Sequence, residues 1–178
     1  LGHRRLSIID LSVRGSPPMA DINKKRWIVF NGEIYNYKQI RSELINENVK
    51  FKSTSDTEVI LLGTLFWGFK KFLSKARGMW AFAIWDEDKK ELTLCRDRFG
   101  KKPLYYLSKT NKLIFGSSLN VIKASKESTE NIDKNALSSY LTLGYVPSDE
   151  CIYEQIHKVP EGSYIVFREG VKSTIIKY

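Results

Sequence analysis

A chain of 178 residues, 42% hydrophobic and 28% charged, is long enough for one compact domain with a sizeable core. Its longest unbroken apolar run, residues 79–85, is far short of the ~18 residues that a membrane-spanning helix needs, and no signal-peptide pattern opens the chain. Lys and Arg outnumber Asp and Glu by 29 to 20, but the resulting +9 is scattered in short pairs such as Lys24-Lys25, Lys70-Lys71 and Lys89-Lys90. That is the pattern of a solvated surface rather than of a nucleic-acid-binding stripe.

Leu1 opens the chain abruptly within what reads as a strand, which leads us to expect a fragment of a longer protein. The run RWIVF at residues 26–30 reads as a strand ending at the turn signal Asn31-Gly32. Tyr37, Ile40, Leu44 and Ile45 then recur at helical spacing, predicting a helix over residues 36–48. Ser55-Asp56-Thr57-Glu58 has the spacing of a capping box, with Val59, Leu62, Leu65 and Phe66 behind it and Gly68 as a stop. A shorter helix through Phe72 and Leu73 leads to Gly78.

Strands follow at residues 79–85 and 91–96, then a hairpin of residues 104–107 and 113–115. Residues 79–85 are apolar at every position, so both faces of that strand must be covered. Stacked sheets flanked by helices meet this demand; parallel α/β winding would need helices between the strands, and residues 79–115 offer none. Asp133 caps a further predicted helix carrying Ala136, Leu137, Tyr140 and Leu141, and residues 163–167 form a late strand. Cys95 and Cys151 are too few for a disulfide framework, Cys95 reads as a small core residue, and His3 and His157 stand apart from any metal-ligand spacing.

Three segments place polar residues where a core pattern does not ask for them. Arg4-Arg5 enters the apolar stretch Leu6-Ser7-Ile8-Ile9; it reads either as a charged strand end or as a guanidinium set to bind a carboxylate bidentately. Asn31-Gly32 reads as a turn, yet an Asn amide beside a glycine N–H also supplies the two donors of an oxyanion hole. Asp56 reads as an acidic residue stabilised by a helix dipole.

Taken in order, LGHRRLSIID at residues 1–10, FNGEIYN at 30–36, SDTEVIL at 55–61, RGMWAFA at 77–83 and RDRFGKKPLYY at 96–106 resemble the glutaminase domain of the glutamine-hydrolysing asparagine synthetase family. The later GYVP at 144–147 and VPEG at 159–162 also fit, so the resemblance spans essentially the whole chain. It implies a class II glutamine amidotransferase fold: an α+β, four-layer αββα sandwich of the N-terminal nucleophile (Ntn) hydrolase type. It further implies one domain, residues 1–178, forming part of a type 2 amidotransferase domain.

In that family an amino-terminal cysteine attacks the side-chain amide of glutamine, with the α-amino group as base. Carried over residue by residue, Asn31 and Gly32 become the oxyanion hole and Arg5 the partner of glutamine's α-carboxylate. Leu6, Ser7, Ile8 and Ile9 line the pocket, and Glu33 and Asp56 receive the α-amino group. Residues 96–106 become a structural loop near the site, with Gly100 and Pro103 setting a turn.

No Met-Cys-Gly start precedes Leu1, and the Ser-Gly-Gly-x-Asp-Ser loop that binds ATP pyrophosphate in the family's synthetase domain is not in the chain. The resemblance thus implies no cofactor or metal in this domain, with ATP and Mg in the synthetase domain. It implies glutamine and the carboxy-terminal synthetase domain as partners, room for a homodimer, no nucleic acid or membrane, and a cytoplasmic setting. The fragment alone is expected to be inactive. Two alternatives stay open: a related amidotransferase aminating another acceptor, such as a surface-polysaccharide sugar acid, and a non-catalytic basic binding module.

Overall fold

The computed structural model describes residues 1–4, 10, 15–110, 112–127, 131–147, 150–168 and 171–178, the last stretch with side chains from residue 174 onward. Strands β2 (Arg26–Ile34) and β3 (Gly78–Asp86) pair antiparallel over their whole length, from Arg26 opposite Asp86 to Ile34 opposite Gly78. The short β1 (Met19–Ala20) joins the outer side of β2 at Trp27 and Ile28. On the other side β4 (Glu91–Arg96), β8 (Ser163–Arg168) and β9 (Val171–Lys177) complete a sheet ordered β1-β2-β3-β4-β8-β9. A second sheet, β6-β5-β7, is built from β5 (Tyr105–Lys109), β6 (Lys112–Gly116) and β7 (His157–Lys158).

Strand periodicity sorts the apolar side chains into layers. Ile28, Phe30, Ile34, Trp80, Phe82 and Ile84 face helices α1 (Tyr37–Asn46), α2 (Asp56–Trp67) and α3 (Phe69–Lys75). Val29, Ala81, Ala83, Leu94 and Phe167 point the other way, against Leu104 and Tyr106 of the second sheet and the chain leading into it. Beyond that sheet Leu107 and Ile156 pack on Ile122 of α4 (Leu119–Ala124). The result is the expected four-layer αββα sandwich. The double cover demanded by the apolar run is real, since Trp80 through Ile84 are all buried. Burying a side chain as large as Phe82 contributes roughly 1.5–3 kcal/mol.

Several elements follow from local chemistry. Asp133 caps α5 (Lys134–Leu143), accepting from the N–H groups of Asn135 and Ala136, and Gly144 ends it in the left-handed region at φ 79°. Cys95 and Cys151 are free and buried, Cys95 within the core between the main sheet and its helices.

Three details differ from the sequence reading. Asn31-Gly32 is not a turn, because β2 runs through both residues in register with β3. The capping box is one-armed: the Ser55 hydroxyl accepts from the Thr57 N–H, while Glu58 turns back to the N–H groups of Lys52 and Ser53. And α2 buries Val59, Ile60, Leu61 and Thr64, leaving Phe66 exposed, because the helix start sinks between the sheet and the preceding turn.

Candidate functional site

The end of the β2–β3 pair is shaped by glycine. Gly32 has φ +147°, and a Cβ placed there would lie 2.1 Å from the Met79 carbonyl oxygen and 2.8 Å from the Trp80 Cα. Gly78, across the pair, also has φ +147° and would meet the Glu33 oxygen at 2.1 Å. Only two residues without side chains let the strands approach this closely. The signal for the site was therefore in the sequence, but as a strand contact rather than a turn.

Register then decides where each group points. On the β4 side the Trp80 carbonyl accepts from the Asp97 N–H and the Trp80 N–H donates to the Asp97 carboxylate, so in the alternating antiparallel pattern Gly32 and Trp80, opposite each other, form a non-bonded pair. The Gly32 N–H is thereby directed away from β3, toward the flank of β2 beyond the two-residue β1. The Ile34 N–H, two residues on, points the same way and donates to Asp56 Oδ2 at 3.1 Å. Asn31 and Glu33 share the face of Val29 and project to the side of the second sheet. Among the described residues the Asn31 amide has no hydrogen-bond partner, so its donors remain available.

Asp56 enters from the first turn of α2. It is buried, and burial pushes its carboxyl above the ordinary aspartate range; the Ile34 N–H opposes this and the Glu33 charge adds to it. A cation arriving beside it would favour the ionised form. The turn ahead of Asp56 is held by three side chains. Glu58 accepts from the Ser53 hydroxyl at 2.6 Å as well as from the two N–H groups, and the Arg41 guanidinium donates to the Ser53 carbonyl at 2.7 Å. Buried Asp10 accepts from the Thr54 N–H at 3.0 Å and its hydroxyl at 3.1 Å. Sequence reasoning assigned neither Asp10 nor Glu58 a part in the site. Both lie inside the quoted motifs, but the partners of Asp10 are 44 positions away.

Asn31, Gly32, Glu33 and Asp56 line one cavity of about 1260 Å³, whose wall also includes His3 and Arg4. The structure thus brings together four of the residues named from the sequence. Arg5, Leu6, Ser7, Ile8 and Ile9 lie outside the described residues. What the four can do is legible from their chemistry: a primary amide and a peptide N–H can share one oxygen, while two carboxylates offer a place for an ammonium group.

A family model described as "Glutamine amidotransferase domain" matches residues 1–178. The chain belongs to the glutamine amidotransferase domain family. It is 40% identical, over 177 residues, to "Asparagine synthetase [glutamine-hydrolyzing] 1" of Bacillus subtilis, covering 99% of this chain and 28% of that protein. It is 39% identical to a "Putative asparagine synthetase [glutamine-hydrolyzing] 2" of Methanocaldococcus jannaschii, covering 94% of this chain and 35% of the relative. The chain therefore spans about a third of the length of these relatives. Among solved structures, a glutamine phosphoribosylpyrophosphate amidotransferase from B. subtilis superposes with a TM-score of 0.66, covering 98% of this chain and 34% of that one at 19% identity. That likeness speaks for the amidotransferase fold.

Proposed function

We propose that this chain is the glutaminase part of a glutamine-hydrolysing asparagine synthetase, binding glutamine and releasing ammonia for the ATP-dependent conversion of aspartate to asparagine. The observation that carries the reading is the convergence of Asn31, Gly32, Glu33 and Asp56 on one cavity in a chain 40% identical to such a synthetase. Glutamine is a zwitterion with an amide at its far end. Asp56 and Glu33 hold its α-ammonium, and Arg5 its α-carboxylate. This leaves the amide at the β2–β3 rim, where the Asn31 side chain and the Gly32 N–H receive its oxygen.

In the family's reaction an amino-terminal cysteine thiol adds to the amide carbon and its proton passes through the α-amino group. The C–O double bond becomes an oxyanion, which Asn31 and Gly32 stabilise as charge develops. Collapse expels ammonia, which takes the proton, and water cleaves the thioester to glutamate. ATP, magnesium and aspartate act in the synthetase domain, which we take as the glutaminase's partner in the same polypeptide. No helix among the described residues is long and apolar enough to cross a membrane, and we place the enzyme in the cytoplasm, where ATP and aspartate are at hand.

The test compares two nitrogen sources in the complete enzyme carrying the amino-terminal cysteine. Asn31→Ala should lower kcat for glutamine hydrolysis by roughly 3 kcal/mol of barrier, typical for one oxyanion donor, and leave ammonia-dependent asparagine synthesis intact. Loss of both activities would assign Asn31 to the fold, and retention of both would remove it from the site.

A further inference from the structure

Asp97 is fully buried and makes no contact with the cavity, yet its side chain ties together two separate stretches of backbone. Oδ1 accepts from the N–H groups of Phe99 and Lys101, both at 3.0 Å. Oδ2 accepts from Lys102 at 2.9 Å and, across the sheet, from Trp80 at 3.2 Å. The last bond stands where a ladder bond would be. β4 ends at Arg96, and the Asp97 carbonyl is turned away to the N–H groups of Gly100 and Gly162, so the carboxylate supplies the acceptor that Trp80 would otherwise lack.

Trp80 is also the residue on which Gly32 rests. The two are register partners, and the space where a Gly32 side chain would sit is filled by the Met79 carbonyl and the Trp80 Cα. A shift of Trp80 away from β4 would therefore carry the Gly32 peptide with it. The loop that grips Asp97 is itself clamped: the Arg96 guanidinium donates to the carbonyls of Lys102, Val159 and Gly100 at 2.9, 3.0 and 2.7 Å. Within the main sheet, Asp97 is thus fixed from behind and reaches forward to the rim.

We propose that Asp97 is a positioning residue for the Gly32 N–H, acting through the Trp80 backbone. The inference rests on the glutaminase reading above. It implies that the loop of residues 96–103 has a kinetic role beyond stability, although Asp97 itself does not line the cavity.

The experiment uses Asp97→Asn in the complete enzyme. Asparagine keeps the shape and one acceptor oxygen but turns an NH2 group toward either Trp80 or the loop, so one set of N–H donors loses its partner. The expected result is a drop of at least tenfold in kcat for glutamine hydrolysis with KM within twofold of wild type, and an unchanged ammonia-dependent rate. An unchanged kcat, or a parallel fall of the glutamine- and ammonia-dependent rates, would overturn the inference. Should the variant fail to fold, replacing Trp80 by its α-hydroxy-acid analogue removes the N–H that Asp97 holds and keeps every side chain. The same kcat-selective loss is then expected, and full activity overturns the proposal. A wild-type enzyme that does not hydrolyse glutamine would instead bring down the glutaminase reading itself, whereas an active wild type with fully active variants sinks only the role of Asp97.

Discussion

Asp56 and Asp97 are both buried aspartates whose Oδ2 accepts a strand N–H, yet they are built to opposite ends. Asp97 receives four peptide N–H groups and is completely enclosed. Asp56 receives the Ile34 strand N–H and, at its helix start, the N–H groups of Thr57 and of Asp56 itself; it lines the cavity, and burial outweighs these donors and pushes its carboxyl upward. A fully enclosed carboxylate spends its acceptors on the frame; one that lines a cavity beside a second carboxylate keeps a face open to a cation, the role proposed above for Asp56. What separates these two side chains of one type is access: Asp97 is enclosed by the loop and sheet it joins, and Asp56 lines the cavity.

The comparison can be broken most forcefully at Asp97. Asp97→Ala leaves the buried Trp80 N–H and the part-buried N–H groups of Phe99, Lys101 and Lys102 without their acceptor; one buried unpaired group costs about 1–3 kcal/mol, so a loss of at least that size in unfolding free energy is expected. Asp56→Ala, which frees fewer N–H groups and borders the cavity, should cost less. Urea denaturation of both variants checks this, and equal losses would erase the distinction between the two residues.

At Asp56 the effect should appear in binding. Removing a charge-assisted partner of the substrate ammonium is worth about 1.5–3 kcal/mol, so Asp56→Ala should raise KM for glutamine by roughly ten- to a hundredfold with little change in kcat. Steady-state kinetics over a wide glutamine range decides it; a kcat loss at constant KM would place Asp56 with the oxyanion donors instead.

The smallest effect is the pH dependence. Burial raises the Asp56 pKa above the ordinary 3.8, so just above that value the folded chain keeps a proton that the unfolded chain has released. With fewer protons on the unfolded state, stability falls as pH rises through the window between the two pKa values, and stays lower above it. Asp56→Asn lacks this titration, so its stability relative to wild type should increase as pH rises from 3.8 upward. Denaturation midpoints at a series of pH values check the sign, and a relative decrease would mean that the folded site favours the carboxylate.

Much of this frame could be read from the residues alone, and the reason is physical. Seven consecutive apolar positions, residues 79–85, cannot lie in a sheet with a wet face, and this local fact implies the stacked sheets. The helix start at Ser55 and the caps at Asp133 and Gly144 are equally local. Legibility fails where a partner is remote. Asn31-Gly32 has the chemistry of a turn, and only Gly78 and Met79 on another strand show that it is a close strand contact. Asp10 finds Thr54 across 44 positions, and Trp80 reaches Asp97 across 17. The elements left out, β1, α4, β7 and β9, include strands of two residues and a helix of six, too short to show a period. Residues 96–106 read as a structural loop with Gly100 and Pro103 setting a turn; the connection is shorter, running from residue 97 to residue 104 between β4 and β5, with Gly100 in the left-handed region at φ +60°, and the carboxylate's bond to Trp80 is not visible in the sequence.

Titration of the 15N-labelled chain with L-glutamine, followed by amide NMR, tests the central claim most directly. The account predicts saturable shifts of the Gly32 and Ile34 N–H signals and of the Asn31 side-chain amide, weakened strongly in Asp56→Ala, while the N–H signals of Phe99 and Lys101 bound to Asp97 stay in place. Glutamine binding that leaves Asn31, Gly32 and Ile34 unmoved, or that is as tight in Asp56→Ala as in wild type, would contradict it.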